Sequence, residues 1–203
     1  IISAGGIKIL SAAARKVRMT EKETLEITVF GGSKPQAGSQ AYQNAEKLGH
    51  LLAEKGFTVL TGGYIGTMEA VSRGANQNGG HVVGVTCEEI ESWRPVGPNS
   101  WVIEERRFPT LRARLYALID DCDAALALPG GIGTLAEIGA MWAQLQVQGP
   151  QNKPLILIGK GWQQTFDTLL KELGEYVAEK DRELVYFAQD VEQAASLLND
   201  LLR

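Results

Sequence analysis

From residue 27 onward, short apolar runs alternate with longer segments in which apolar residues recur every three or four positions. Residues 27–30 are β-branched and aromatic and are closed by Gly31, Gly32 and Ser33, the pattern of a strand and a turn. Residues 39–55 carry Ala41, Ala45, Leu48, Leu51 and Leu52 at helical spacing and end at Gly56. A second strand is predicted over 57–60, then a glycine-rich loop (Gly62, Gly63, Gly66), a helix over 67–78 and a third strand over 81–86. Residues 87–108 contain Pro95 and Pro98 and predict an irregular segment, with a short strand at 101–103. Beyond it the pattern predicts a helix over 110–120, a strand over 124–128, a helix to about residue 148 and a strand over 155–158. A helix over 163–178, a strand over 184–187 and a last helix over 191–202 complete it. This alternation predicts an α/β fold: a Rossmann-like, doubly wound parallel sheet with helices on both faces and right-handed crossovers.

The first residues stand apart. Arg15, Lys16 and Arg18 form a basic cluster and Glu21, Glu23 and Glu26 an acidic one, with Met19 between them as a candidate native start. Residues 1–25 therefore read as an N-terminal extension, with a short helix over 9–17, and 26–203 as a single nucleotide-binding domain. A net charge of -4 and a pI near 5.3 disfavour a nucleic-acid surface. Two cysteines, Cys87 and Cys122, are too few for a disulfide framework and read as buried thiols. No apolar run is long enough for a membrane span and no signal peptide is evident, so a soluble cytoplasmic protein is expected.

Three glycine loops each directly follow a predicted strand: at Gly31, Gly32 and Ser33, at Gly62, Gly63 and Gly66, and at Gly130, Gly131 and Gly133. In a parallel sheet they share the carboxyl edge, where ligands collect at the reversal of strand order. The third opens a helix, whose free N–H groups and partial positive charge suit a phosphate. Glu137 lies about one turn into that helix, either as a partner for the helix dipole or as an acid facing the bound anion. The loops lack the Walker and dinucleotide spacings, and no nucleophile elbow is present. His50 and His81 are far apart in sequence and read as structural, so no metal site is indicated.

The segment Pro129-Gly130-Gly131-Ile132-Gly133-Thr134-Leu135-Ala136-Glu137 resembles the PGGxGTxxE signature of the LOG family, once labelled lysine decarboxylase-like. Val29 to Ser33 is similar to that family's first strand and loop. Thr61 to Val71 resembles its second glycine segment, with Thr61 replacing the first glycine. The older label implies a lysine-bound pyridoxal cofactor, and neither of the best-matched loops carries a lysine.

The resemblance implies a phosphoribohydrolase that hydrolyses the N-glycosidic bond of AMP or a cytokinin-type ribotide to free base and ribose 5-phosphate. It implies Glu137 and Arg114 as catalytic residues. It implies a phosphate and nucleotide site at Gly130, Gly131, Gly133 and Thr134 with Gly32, Ser33, Gly62 and Gly63. No cofactor is expected. The family's arginine is normally followed by lysine; here Leu115 follows Arg114. Without the resemblance, Arg114 reads as a solvated helix charge, and Arg112, two residues away, faces elsewhere. Lys34, Ser33, Tyr64 and Glu69 are further residues within reach of such a site, and 87–108 is placed to cover the base. The alternative is a non-catalytic carrier or sensor of a nucleotide or phosphate-bearing cofactor, as the superfamily also contains. A homodimer is the family expectation, with Met141, Trp142 and Leu145 as a candidate apolar face.

Overall fold

The computed structural model describes residues 24–148 and 153–203. The extension expected over 1–25, with its helix over 9–17, lies almost wholly outside the described residues. Seven strands form one all-parallel sheet: β1 (Glu26–Phe30), β2 (Thr58–Thr61), β3 (Val82–Cys87), β4 (Glu104–Phe108), β5 (Ala124–Ala127), β6 (Leu155–Ile158) and β7 (Val185–Ala188). Their order is β4-β3-β2-β1-β5-β6-β7. The chain builds outward from β1 to β4, then returns to the other side of β1 with β5. The strand order thus reverses between β1 and β5, which pair through Val29 with Leu126 and Phe30 with Ala127.

Alternating strand residues feed two apolar layers, as the twofold side-chain period of a strand requires. Ile27, Val29, Val59, Leu126 and Ile156 pack under α1 (Gln40–Glu54), α2 (Thr67–Gln77) and α8 (Val191–Leu201). Phe30, Leu60, Val83, Ala125 and Leu157 pack under α4 (Leu111–Asp120), α5 (Ile132–Gln148) and α6 (Lys160–Leu173). The doubly wound sheet with helices on both faces is therefore what the periodicity predicts. Helices α1 and α2 approach closely because Gly49 and Gly74 lack side chains: a Cβ at either would strike the backbone of the other helix.

Two regions differ from expectation. Residues 87–108 are irregular only over 94–103, around Pro95 and Pro98. On either side they form a short helix, α3 (Glu88–Trp93), and the edge strand β4, which begins just after the expected 101–103. Strand β4 has the sequence EERRF and pairs along its length with β3. Its Arg106 is neutralised by Glu26 at 2.8 Å, Glu104 at 2.8 Å and Asp121 at 3.5 Å, contacts that no local pattern reveals. The long helix expected over 163–178 instead spans Lys160–Leu173, followed by a 3-10 turn (Gly174–Tyr176) and a four-residue helix, α7 (Glu179–Arg182). Among the described residues, no helix is long and apolar enough to cross a membrane.

Candidate functional site

The loops after β1 and β5 meet where the strand order reverses, and with α3 and α4 they line a cleft of about 890 Å³. The β1 loop is fixed from below. Thr67, the first residue of α2, donates both its N–H (2.9 Å) and its hydroxyl (3.0 Å) to the carbonyl of Gly32. Gly66, at φ 77°, lies so close to Ser33 that a Cβ would meet its Cα at 2.6 Å, so only glycine fits. The β5 loop is held by Trp162, whose indole N–H donates to the Leu128 carbonyl at 3.0 Å. In α5 the N–H of Leu135 bonds the Gly131 carbonyl at 3.0 Å. The amides of the preceding turn, Ile132 to Thr134, have no carbonyl one turn back to bond and border the cleft. A Cβ on Gly131 or Gly133 would meet nothing, so these positions leave open space where a ligand would approach.

Arg114 sits in α4, which Thr110 caps by accepting the Ala113 N–H at 3.1 Å. Its side chain is buried, not solvated. The guanidinium donates to the Val85 carbonyl through Nε (2.7 Å) and to the Gly62 carbonyl through Nη2 (3.2 Å), and stands over the Tyr64 ring at 5.7 Å. Nη1 lies 3.8 Å from Oε1 of Glu137. That separation is longer than a hydrogen bond, so the two charges attract without being joined. The Glu137 side chain is only 13% exposed. Burial pushes its carboxyl up to about 7, and Arg114 pulls the other way without cancelling the effect. A buried acid poised near neutrality, beside a fixed cation at a helix N-terminus, can exchange a proton or stabilise developing positive charge next to a bound anion.

Of the residues named from the sequence, Glu137, Arg114, Gly130, Gly131, Gly133, Thr134, Gly32 and Ser33 all line the cleft, as does Lys34. Gly62 and Gly63 do not. They are buried behind its wall, where Gly62 holds Arg114 and leaves no room for a side chain. Tyr64 lines the cleft but is 1% exposed, and its hydroxyl accepts the Cys87 N–H (2.8 Å) and donates to the Cys87 carbonyl (3.1 Å). With Arg114 over its ring, it supports the arginine instead of offering a face to a base. Glu69 and Arg112 lie outside the lining. Leu115 lines the cleft and also packs against the apolar layer beneath α4.

The segment 87–108, expected to cover the base, does border the cleft, but sequence reasoning assigned no site role to the residues that line it, Ile90, Trp93 and Arg94. The spacing of Ile90 and Trp93, three residues apart on α3, was the available signal. Met141 and Leu145, expected on an apolar docking face, are core residues, and Trp142 is partly buried with its indole N–H on the Asp181 carbonyl at 2.7 Å. The exposed apolar stripe of α5 is instead Ile132, Leu135, Gly139, Ala143 and Val147. His50 is half-exposed and pairs with Glu54, and both cysteines are buried, as expected. Among the described residues, no cluster of His, Cys, Asp or Glu could hold a metal ion.

The model of the SLOG cluster4 family matches residues 24–194. The probable cytokinin riboside 5′-monophosphate phosphoribohydrolase LOGL5 of Oryza sativa subsp. japonica is 34% identical over 157 residues, 75% of this chain and 61% of that protein. The cytokinin riboside 5′-monophosphate phosphoribohydrolase of Rhodococcoides fascians is 32% identical over 135 residues, 65% of this chain and 66% of that protein. The chain thus spans somewhat under two thirds of the length of these curated relatives. Among solved structures, the molybdenum cofactor binding protein of Rippkaea orientalis superposes with a TM-score of 0.70 at 25% identity, covering 90% of this chain and all of that one.

Proposed function

The chain belongs to the SLOG cluster4 family and carries the LOG signature, and from that premise we propose that it hydrolyses the N-glycosidic bond of a nucleoside 5′-monophosphate, AMP or a cytokinin-type ribotide. The observation that carries this reading is the buried Glu137 and Arg114 pair at the opening turn of α5. In the proposed arrangement the 5′-phosphate rests on the free amides at the start of α5, between Gly130, Gly131, Gly133 and Thr134 and the facing Gly32 and Ser33. The ribose then lies over Glu137. As the glycosidic bond breaks, positive charge develops on the sugar, and the carboxylate stabilises it or draws a proton from the attacking water. The base leaves with the bonding electrons and takes up a proton; water adds to the sugar to give ribose 5-phosphate. Arg114, locked by two carbonyls, keeps the carboxylate aimed and holds part of its charge.

A second reading has specific support. Leu115 places an alkyl chain where the family's lysine would stand, and a solved relative is a molybdenum cofactor binding protein. The same cleft then holds a nucleotide or another phosphate-bearing ligand without turnover. Incubation with AMP and other nucleoside 5′-monophosphates, with chromatography of free base and Glu137→Gln as control, separates the two. Base release that disappears in the variant supports hydrolysis, whereas saturable binding with no release supports the carrier. We also propose a homodimer, formed through the exposed stripe of α5. Ile132 and Val147 are each 85% exposed at its two ends. An Ile132→Glu variant that sediments as a monomer, beside a dimeric parent, is the expected result.

A further inference from the structure

The lining of the cleft is of two kinds. One part is the amide-rich turn of α5 with Ser33 and Lys34; the other is Ile90, Trp93, Leu111 and Leu115. We infer that Trp93 is the stacking platform for the base of the bound nucleotide. This rests on the nucleotide-monophosphate reading above and assigns its base site.

Helix α3 presents Ile90 and Trp93, one turn apart, to the cleft, and Arg94, in extended conformation just past its end, lines the cleft beside them. The helix itself is anchored. Glu89 accepts the Leu111 N–H at 2.7 Å, and Glu91 accepts the Tyr64 hydroxyl at 3.3 Å and pairs with Arg107 at 2.7 Å. These contacts fix the backbone that carries Trp93, while the indole is left 79% exposed. Its one described ring contact is the Arg94 guanidinium, 5.7 Å from the ring centroid. Arg94 is partly buried, its Nε is shielded from solvent without a hydrogen-bond partner, and among the described residues no carboxylate pairs with it. A cation against one face of the indole leaves the other for a flat ring, and an aromatic platform beside an arginine is an arrangement that holds bases without reading their edges. Leu115 extends this apolar wall where a lysine would have brought a charge. The consequence is a base site that selects for ring area and not for hydrogen-bonding pattern.

The test compares AMP with ribose 5-phosphate, which keeps the phosphate and sugar but lacks the base. Calorimetric titration of the full chain, Trp93→Ala and Trp93→Phe with both ligands gives the readout. Trp93→Ala is expected to weaken AMP roughly 5- to 150-fold, the worth of one stacked base, with ribose 5-phosphate unchanged and Trp93→Phe close to the parent. If the parent binds AMP and Trp93→Ala binds it equally well, or loses both ligands equally, the stacking role is overturned while the nucleotide reading stands. If the parent binds no AMP, the nucleotide reading falls and the base platform with it.

Discussion

Replacing Glu137 by glutamine should stabilise the protein above neutral pH while removing its activity. The unfolded chain releases this proton near 4.5, whereas burial in the folded protein holds it to about 7. Between those values the folded state binds the extra proton, so stability falls as pH rises, and above about 7 the loss is complete. At about 1.4 kcal/mol per pH unit the full loss is about 3 kcal/mol. The attraction of Arg114 at 3.8 Å is already contained in that balance. Glutamine has the shape of the neutral acid and cannot ionise, so it keeps the low-pH stability throughout. At pH 5, just above the unfolded value, the variant should lead by only about 1 kcal/mol. At pH 8.5 the variant should be more stable by about 3 kcal/mol, or roughly 6–12 °C in Tm for a chain of this size. A variant less stable than the parent at pH 8.5, or a difference that is the same at both pH values, would refute the claim that an uncompensated buried carboxylate sits here.

The same carboxyl predicts that kcat/KM for a nucleoside monophosphate climbs about tenfold per pH unit up to a bend near 7 and then levels, since the ionised form is the working one; a flat profile from pH 5 to 8 would remove Glu137 from that role. Gly133→Ala adds a methyl group that meets no protein atom and replaces a helical glycine. Its stability should therefore rise by up to about 1 kcal/mol while inorganic phosphate and AMP both bind at least about tenfold more weakly, as parallel melting and titration would show. Leu115→Lys should raise turnover of AMP while costing roughly 1–2 kcal/mol in urea unfolding, because the leucine packs under α4; turnover that stays the same or falls would mean that the lysine is not what this site lacks.

The strands were legible where both faces are covered, because there a strand must be apolar throughout. β1, β2, β3, β5 and β6 are such runs, interrupted only by Glu26 at the start of β1, by Gly84 in β3 and by buried threonines, and all but β3 are followed within three residues by a glycine. Strand β4 hid because it lies at the sheet edge and alternates between partly buried and exposed residues. Its charges are balanced by Glu26 and Asp121, which are distant in sequence. Helix α3 hid for a related reason: it is acidic and short, and contributes no fully buried residue. The phosphate part of the cleft was readable from strand, glycine loop and helix in succession. Arg114 was not readable from local pattern, since a lone arginine in a helix is usually solvated. Its burial depends on two carbonyls from β3 and the β2 loop, brought together only by the sheet order.

The second glycine loop shows why sequence and site came apart at Gly62 and Gly63. A glycine after a strand can admit a ligand or admit another part of the protein, and the two uses look alike in sequence. At Gly131 and Gly133 the space beside the backbone is open. At Gly62 it is filled by the Arg114 guanidinium and the Met68 sulfur. The glycine that was expected to touch the ligand therefore acts one layer deeper, by letting an arginine lie flat against the backbone and face Glu137. Adding a methyl group at Gly62 should consequently act on the Arg114 and Glu137 pair and not on the phosphate. For Gly62→Ala we expect a shifted pH bend in kcat/KM, as the displaced cation ceases to oppose the rise in the Glu137 carboxyl, with inorganic phosphate still bound as in the parent. A variant that loses phosphate binding but keeps the bend near 7 would place Gly62 back at the ligand and refute this division of labour between the loops.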